Sequence, residues 1–170
     1  MHYQRDKTYM VININEKVQK WVISPDPISL DRIDLQIEIR PLSFDEMSRT
    51  HEAESSASIR ERVLKARQIQ EERYAKYNSL PMGEGRGETI HSNAQMTPAL
   101  MREFCVLDER SLKMLQNAMS KLDLSARAYD RILRVARTIA DYEGSENITS
   151  THIAEAISYR NLDRNSWGQG

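Results

Sequence analysis

The chain has 170 residues, of which 39% are hydrophobic and 29% charged, which suits one domain with a modest core. Its net charge of -1 excludes a general attraction to nucleic acid or to a membrane surface, so any basic site must be local. The single cysteine, Cys105, cannot form an intramolecular disulfide. No stretch approaches the roughly 20 apolar residues of a membrane span, and no apolar signal region follows Met1. We therefore expect a cytoplasmic protein with no membrane partner.

The N-terminal part holds the clearest β pattern. Residues 33–39 alternate apolar with polar or charged side chains, and Pro41 closes this predicted strand. A lone strand is not stable in water, so we expect it to join a sheet whose other strands are absent from this chain. Residues 9–14 fit either a strand or a helix, and residues 16–23 favour a short amphipathic helix.

From residue 42 onward the pattern is helical. Ser58 to Glu61 resembles a capping box and predicts a helix that runs to about Tyr77. The loop at 78–95 contains three of the six glycines, so we expect it to be flexible. The apolar face of the predicted helix consists of Ile59, Val63, Ala66, Ile69 and Tyr74.

Three further helices are predicted from their N-caps. Thr97 and Pro98 open a short helix to Phe104, Asp108 caps the next helix, and Thr149 caps the last. We therefore predict a mainly α fold, a lid bundle of about four to five helices with the short β element 33–39 attached. The apolar faces are Leu112, Leu115, Met119 and Leu122 in the second of these helices, and Ile153, Ala156, Ile157 and Tyr159 in the last.

The most informative stretch is a predicted helix over Leu124–Tyr142, capped by Ser125 and ended by Gly144. Its two faces differ: one arc is apolar and the opposite arc carries four arginines. Arg127 falls in the first turn, where the helix dipole favours an anion such as phosphate. The alternative is a solvated basic face, and periodicity alone favours that alternative. The apolar arc is Ala128, Ile132, Val135, Ala136, Ile139 and Ala140, and the basic arc is Arg127, Arg131, Arg134 and Arg137.

The common catalytic and metal-binding patterns are absent. No glycine is followed by lysine, so the phosphate-binding loop of nucleotide hydrolases is missing. Asp108 and Glu109 follow an apolar run, as in a magnesium-binding strand, but Asp108 already has a capping role. The four histidines lie far apart and predict no zinc site. We expect Cys105 to be a buried structural thiol, and we expect Asp31 and Asp34 to orient Arg32 between them.

Two segments carry a resemblance to a known family. Leu30-Asp-Arg-Ile-Asp-Leu35 and the helix motif that runs from Leu124 to Asp141 resemble those of the magnesium-chelatase-like AAA+ ATPases. The match covers about residues 29–160 in the same order, although residues 25–30 read PDPISL where the family usually has Ser-Gly-Pro-Leu-Leu. The supporting pieces are Glu54-Ser-Ser-Ala, Ile59-Arg-Glu-Arg-Val63, Asn93-Ala, Phe104-Cys, Leu107-Asp, His152-Ile-Ala-Glu-Ala-Ile and Tyr159-Arg160.

The resemblance implies roles for two arginines. Arg32 is similar to the arginine finger, which reaches the γ-phosphate held by a neighbouring subunit, and Arg127 is similar to the sensor-2 arginine, which contacts ATP phosphate. It also implies ATP and Mg²⁺ as cofactors of the full-length protein. This chain lacks the Walker motifs, so we expect it to bind neither cofactor and to be inactive alone.

The resemblance further implies an organisation and a function. Residues 1–28 are a non-native-like or partial segment, 29–41 the last strand of the AAA+ core, 42–96 a connector helix and loop, and 97–162 the helical lid. We expect a C-terminal fragment whose partners are its own nucleotide-binding core, further copies in a ring (a hexamer) and DNA. The full-length function is ATP-driven DNA remodelling or branch migration in competence and recombination. The alternative is a stand-alone helical module that binds protein or nucleic acid through the arginine stripe.

Overall fold

The computed structural model describes residues 34–37, 44, 53–79 and 89–160. These ranges contain five α-helices and confirm the mainly α prediction. The helices are α1 (Ser56–Asn78), α2 (Pro98–Phe104), α3 (Glu109–Lys121), α4 (Ala126–Glu143) and α5 (Ser150–Ser158), with a 3₁₀ turn at Asn93–Gln95 before α2.

The four described residues of the predicted strand 33–39 are not in a strand. Residues 34–37 instead lie against the end of α5, where the Gln36 N–H donates to the Tyr159 carbonyl oxygen at 2.9 Å. No strand occurs within the described ranges, so the partner sheet that the alternation calls for is absent from them.

Side chains at the helix starts confirm three predicted caps. Ser125 Oγ accepts from the Ala128 N–H at 3.1 Å, and Asp108 Oδ1 accepts from the Ser111 N–H at 2.7 Å. Thr97 caps α2 by accepting from the Leu100 N–H. Each bond satisfies a backbone donor that the first helical turn leaves unpaired. In each of these three helices a side chain close in sequence therefore sets where the helix begins.

The start of α1 differs from the prediction. Ser55 is the N-cap, and its hydroxyl accepts from the Ser58 N–H at 3.2 Å. Ser58 donates its own hydroxyl to Glu54 at 2.7 Å, and Glu61 pairs with Lys65 at 2.9 Å. The capping box predicted at Ser58–Glu61 is therefore wrong. The serine-rich run offers two capping hydroxyls one turn apart, and the chain uses the earlier one.

The first turn of α5 has a histidine in its cap, and the predicted cap at Thr149 is confirmed. The Thr149 N–H donates to His152 Nδ1 at 3.0 Å. Because Nδ1 accepts, the ring hydrogen sits on Nε2, which donates to Glu143 at 2.8 Å. The pair links the start of α5 to the end of α4.

The core is built around α4, whose predicted apolar arc is confirmed. Its Ile132, Ala136 and Ala140 are completely buried, together with Leu115 of α3 and Ile153 of α5. Half-buried side chains that pack against this cluster include Leu124, Tyr129, Val135, Ile139 and Ile157. Because α1, α2, α5 and the 3₁₀ turn all contact α4, it is the central element.

Three predicted apolar positions are exposed. Ile59, Val63 and Leu112 expose 44%, 39% and 40% of their surface. The first ten residues of α1 are all exposed. The buried residues of this helix, Ala66, Gln70 and Tyr74, lie further along it. The apolar face of α1 therefore extends beyond the part of the helix that other described residues cover.

Of the predicted flexible loop at 78–95, the structure describes residues 78–79 and 89–95, and its three glycines lie outside the described part. Ile90 and Asn93 are 4% and 1% exposed. The Asn78 amide bonds both backbone groups of Ile90, donating at 2.8 Å and accepting at 2.9 Å. These bonds anchor Ile90 to the end of α1.

Among the residues that the structure describes, no helix is long and apolar enough to cross a membrane.

Candidate functional site

The four arginines on one face of α4 have different environments. Arg127 in the first turn is exposed, and Arg131 one turn later keeps 16% of its side-chain surface exposed. Arg134 is half-buried and Arg137 is only 3% exposed. The predicted basic stripe therefore passes from solvent at the start of the helix into the interior near its end.

Arg127 lies in the part of α4 that is best suited to an anion. The helix starts at Ala126, so Arg127 is its second residue and lies two positions after the Ser125 cap. The positive end of the helix dipole and the guanidinium act in the same direction there. A planar guanidinium can also bind two phosphate oxygens at once. The geometry is suitable for a phosphate contact from outside this bundle.

Arg131 connects the two segments that carry the family resemblance. Its Nε lies 3.0 Å from Asp34 Oδ1. Asp34 belongs to the Leu-Asp-Arg-Ile-Asp element, and Arg131 lies one turn after Arg127. We predicted that Asp34 orients Arg32; the structure pairs Asp34 with Arg131, and Arg32 lies outside the described residues.

Arg134 and Arg137 bind the protein itself. Arg134 donates to the Met96 carbonyl oxygen at 3.0 Å. Arg137 donates to Asp141 Oδ1 at 3.0 Å, to the Glu146 carbonyl at 2.8 Å and to the Ser145 carbonyl at 2.6 Å. The interpretation of Arg137 as a solvated residue is therefore wrong. Its buried charge is tolerated because a carboxylate and two carbonyls receive its N–H groups.

Asp141 is the centre of a buried polar cluster that joins α1, the 3₁₀ turn and α4. Arg73 of α1 donates to both of its carboxylate oxygens, with the Nη1 contact at 2.7 Å. The Asn93 amide donates to Asp141 Oδ2 at 2.8 Å and to Thr138 at 3.0 Å. Asn93 Oδ1 accepts from Tyr74 at 2.7 Å. We call Arg73, Tyr74, Asn93, Arg137 and Asp141 the polar cluster.

The environment of the polar cluster shifts the pKa of two groups. Burial disfavours the charged form of Arg73, yet its hydrogen bonds and its attraction to Asp141 raise the pKa of the guanidinium above its ordinary value. Burial raises the pKa of Tyr74 to about 12. Both groups therefore keep their protons, and the cluster has a structural role rather than an acid–base one.

Cys105 is confirmed as a buried thiol. It is 6% exposed and forms no disulfide, and its sulfur lies 3.9 Å from the Leu133 carbonyl oxygen. Burial raises the pKa of the thiol to about 11. A nucleophilic cysteine needs a lowered pKa and access to solvent, and Cys105 has neither.

The described ranges contain no group of three or more His, Cys, Asp or Glu side chains placed to hold a metal ion.

Sequence reasoning missed the polar cluster. Arg73 and Asp141 lie far apart in the sequence, and no periodic pattern predicts that they pair. One indication was present: Asn93 and Asp141 both fall within the motifs that carry the family resemblance. In the structure these two side chains contact each other, with the Asn93 amide nitrogen donating to Asp141 Oδ2 at 2.8 Å.

Comparison with known proteins identifies the class. The chain belongs to the family described as magnesium chelatase, subunit ChlI C-terminal, whose profile matches residues 53–160. Those residues cover α1 to α5. The bundle is thus the C-terminal domain of a magnesium-chelatase-like AAA+ protein.

Individual relatives agree with this assignment. The chain is 40% identical over 136 residues to "Competence protein ComM" of Haemophilus influenzae, which covers 79% of this chain and 24% of ComM. It is 38% identical over 136 residues to "Uncharacterized protein YifB" of Escherichia coli, with the same two coverages. An uncharacterised protein of Mycobacterium tuberculosis is 29% identical over 131 residues, 77% of this chain and 24% of its own length. The chain thus spans about a quarter of the length of these curated relatives.

Proposed function

We propose that this chain is the nucleotide-sensing lid of a ComM-like AAA+ ATPase. In this proposal Arg127 is the sensor-2 arginine that binds an ATP phosphate, and Arg32 is the arginine finger that acts on ATP held by the neighbouring subunit. The partner of the lid is the nucleotide-binding core of the same protein. Further copies complete a ring, which we propose is a hexamer.

The observation that supports this most directly is the position of Arg127. It is exposed in the first turn of α4, where the helix dipole adds to its charge. The far end of α4 is fixed by the buried pair of Arg137 and Asp141 and by Arg73 from α1. Because the far end of α4 is fixed to the bundle, a phosphate contact at its start can couple nucleotide binding to the position of the whole lid.

ATP and Mg²⁺ would be bound mainly by the absent core, where the metal neutralises charge on the phosphates during hydrolysis. The contribution of this chain is a guanidinium. Arg127 would bind phosphate oxygens through charge-assisted hydrogen bonds, which are about twice as strong as neutral ones. Arg32 would supply positive charge to the transition state in trans.

We propose that the complete protein uses this cycle to remodel DNA by branch migration in competence and recombination. The support is the family resemblance and the name of the Haemophilus influenzae relative, a competence protein. The alternative of a helical module that binds nucleic acid through the arginine stripe has less support. Arg134 and Arg137 of that stripe donate to carbonyl oxygens within the bundle.

A chimera tests the lid assignment. The matching C-terminal quarter of ComM would be replaced by residues 29–160 of this chain, and ATP hydrolysis measured alongside intact ComM and a ComM protein truncated before the lid. We expect the truncated protein to lose hydrolysis and the chimera to regain it. A chimera that is folded and oligomeric but no more active than the truncated protein would overturn the proposal.

A further inference from the structure

We propose that Arg131 is a positioning residue that anchors the Leu-Asp-Arg-Ile-Asp element to the sensor helix through Asp34. This inference rests on the proposed function and adds a role for a residue to which the resemblance assigns none. The contacts that hold residues 34–37 include the Arg131–Asp34 ion pair at 3.0 Å. They also include the hydrogen bond from the Gln36 N–H to the Tyr159 carbonyl oxygen at 2.9 Å.

Arg131 is mostly buried, which distinguishes this pair from an ion pair between two exposed side chains. Exposed ion pairs contribute little, because solvent screens them and long side chains lose entropy. Arg131, however, keeps only 16% of its side-chain surface exposed, while Asp34 keeps 52%. The guanidinium is therefore largely enclosed by the bundle, whereas the aspartate is half exposed at its edge. Loss of Asp34 would release the segment rather than unfold the helix.

The placement of the pair relates the two proposed arginines. Arg131 follows Arg127 by one helical turn, and Asp34 follows Arg32 by two residues in the sequence. A shift of α4 on binding phosphate at Arg127 would therefore move Asp34 with it. The pair would transmit nucleotide state from the sensor helix to the segment next to the finger.

Amide hydrogen exchange on residues 1–170 tests the anchoring without any ATPase activity. The Gln36 amide reports the segment, and the Ala136 amide in the middle of α4 reports the fold. We expect Asp34→Asn and Arg131→Met to speed exchange at Gln36 about fivefold and to leave Ala136 unchanged. Arg110→Met removes an exposed arginine on α3 and is the matched control.

A swapped pair separates the ion pair from other effects of the substitutions. Asp34→Arg combined with Arg131→Asp restores opposite charges, and we expect it to recover most of the protection at Gln36. Unchanged exchange at Gln36 in both single variants would overturn the anchoring. So would a swapped pair that exchanges as fast as the single variants.

The ComM chimera tests the functional consequence. A finger acts on the transition state, so we expect Asp34→Asn and Arg131→Met to lower kcat about fivefold or more with the KM for ATP unchanged. An active chimera whose kcat is unaffected would overturn the positioning role. A folded chimera that hydrolyses no ATP would overturn the proposed function, while hydrogen exchange would still decide whether Arg131 anchors the segment.

Discussion

Arg73 of α1 and Asp141 of α4 form a bidentate ion pair between the two helices, in which both carboxylate oxygens accept from the guanidinium. The same carboxylate also accepts from Arg137 at 3.0 Å. Asp141 is 1% exposed, so one buried anion is shared between two largely buried cations. This acidic side chain therefore stabilises the packing of α1 against the central helix, together with the buried Tyr74.

We expect Asp141→Asn to be strongly destabilising. An amide keeps the shape of the carboxylate but removes the charge that compensates Arg73 and Arg137, and breaking a buried pair costs about 3 kcal/mol or more. The measurement is urea denaturation of residues 1–170. Glu71→Gln, on the exposed face of α1, is the matched control and should change the free energy of unfolding little. Equal stability of the Asp141→Asn variant and the unchanged protein would show that the polar cluster is not essential.

Gly144 is expected to be required for its backbone conformation alone. Its φ is +71°, and a Cβ built there meets nothing within 4 Å. Gly144→Ala should therefore cost about 1 kcal/mol through strain, without any steric clash. Asn tolerates this left-handed conformation better, so Gly144→Asn should cost less than Gly144→Ala. Thermal unfolding of the two variants gives the comparison, and the reverse order would contradict it.

The stability of the chain should fall in alkaline solution through Cys105. Burial raises the pKa of its thiol from 9.0 to about 11, so the unfolded state loses this proton first. The stabilising contribution is complete below pH 9 and is lost as the pH rises to about 11, an effect on the order of 2 kcal/mol. Tyr74 adds a similar loss between pH 10 and about 12.

The Cys105→Ala variant separates the contribution of the thiol from that of Tyr74. Denaturation of both proteins at pH 8 and pH 10.5 should show a smaller loss of stability in the variant. An identical loss in the two proteins would mean that the thiol titrates in the folded state near its ordinary pKa.

Much of the helical fold follows from local chemistry. Ser125, Asp108 and Thr97 each cap a helix, and a capping side chain needs only the next three residues to act. Periodicity also predicted which face of α4 is buried. The start of α1 was misplaced because Ser55 and Ser58 are both good caps, and only the folded chain decides between them.

The candidate site was less predictable. The sequence pattern placed four arginines on one arc, but it could not distinguish exposed Arg127 from buried Arg137. The difference arises from the chain after Gly144, whose Ser145 and Glu146 carbonyls turn back to receive Arg137. Such backbone acceptors are set by tertiary structure and leave no periodic mark in the sequence.

The proposed role of Arg127 as the nucleotide sensor is tested most directly by an ATP titration of the ComM chimera. A charge-assisted contact to phosphate is worth about 1.5–3 kcal/mol, so Arg127→Ala should raise the KM for ATP roughly tenfold or more. Arg110→Ala, an exposed arginine on α3, should leave the KM unchanged. If Arg127→Ala and Arg110→Ala both hydrolyse ATP with the KM and kcat of the unsubstituted chimera, Arg127 is not the sensor.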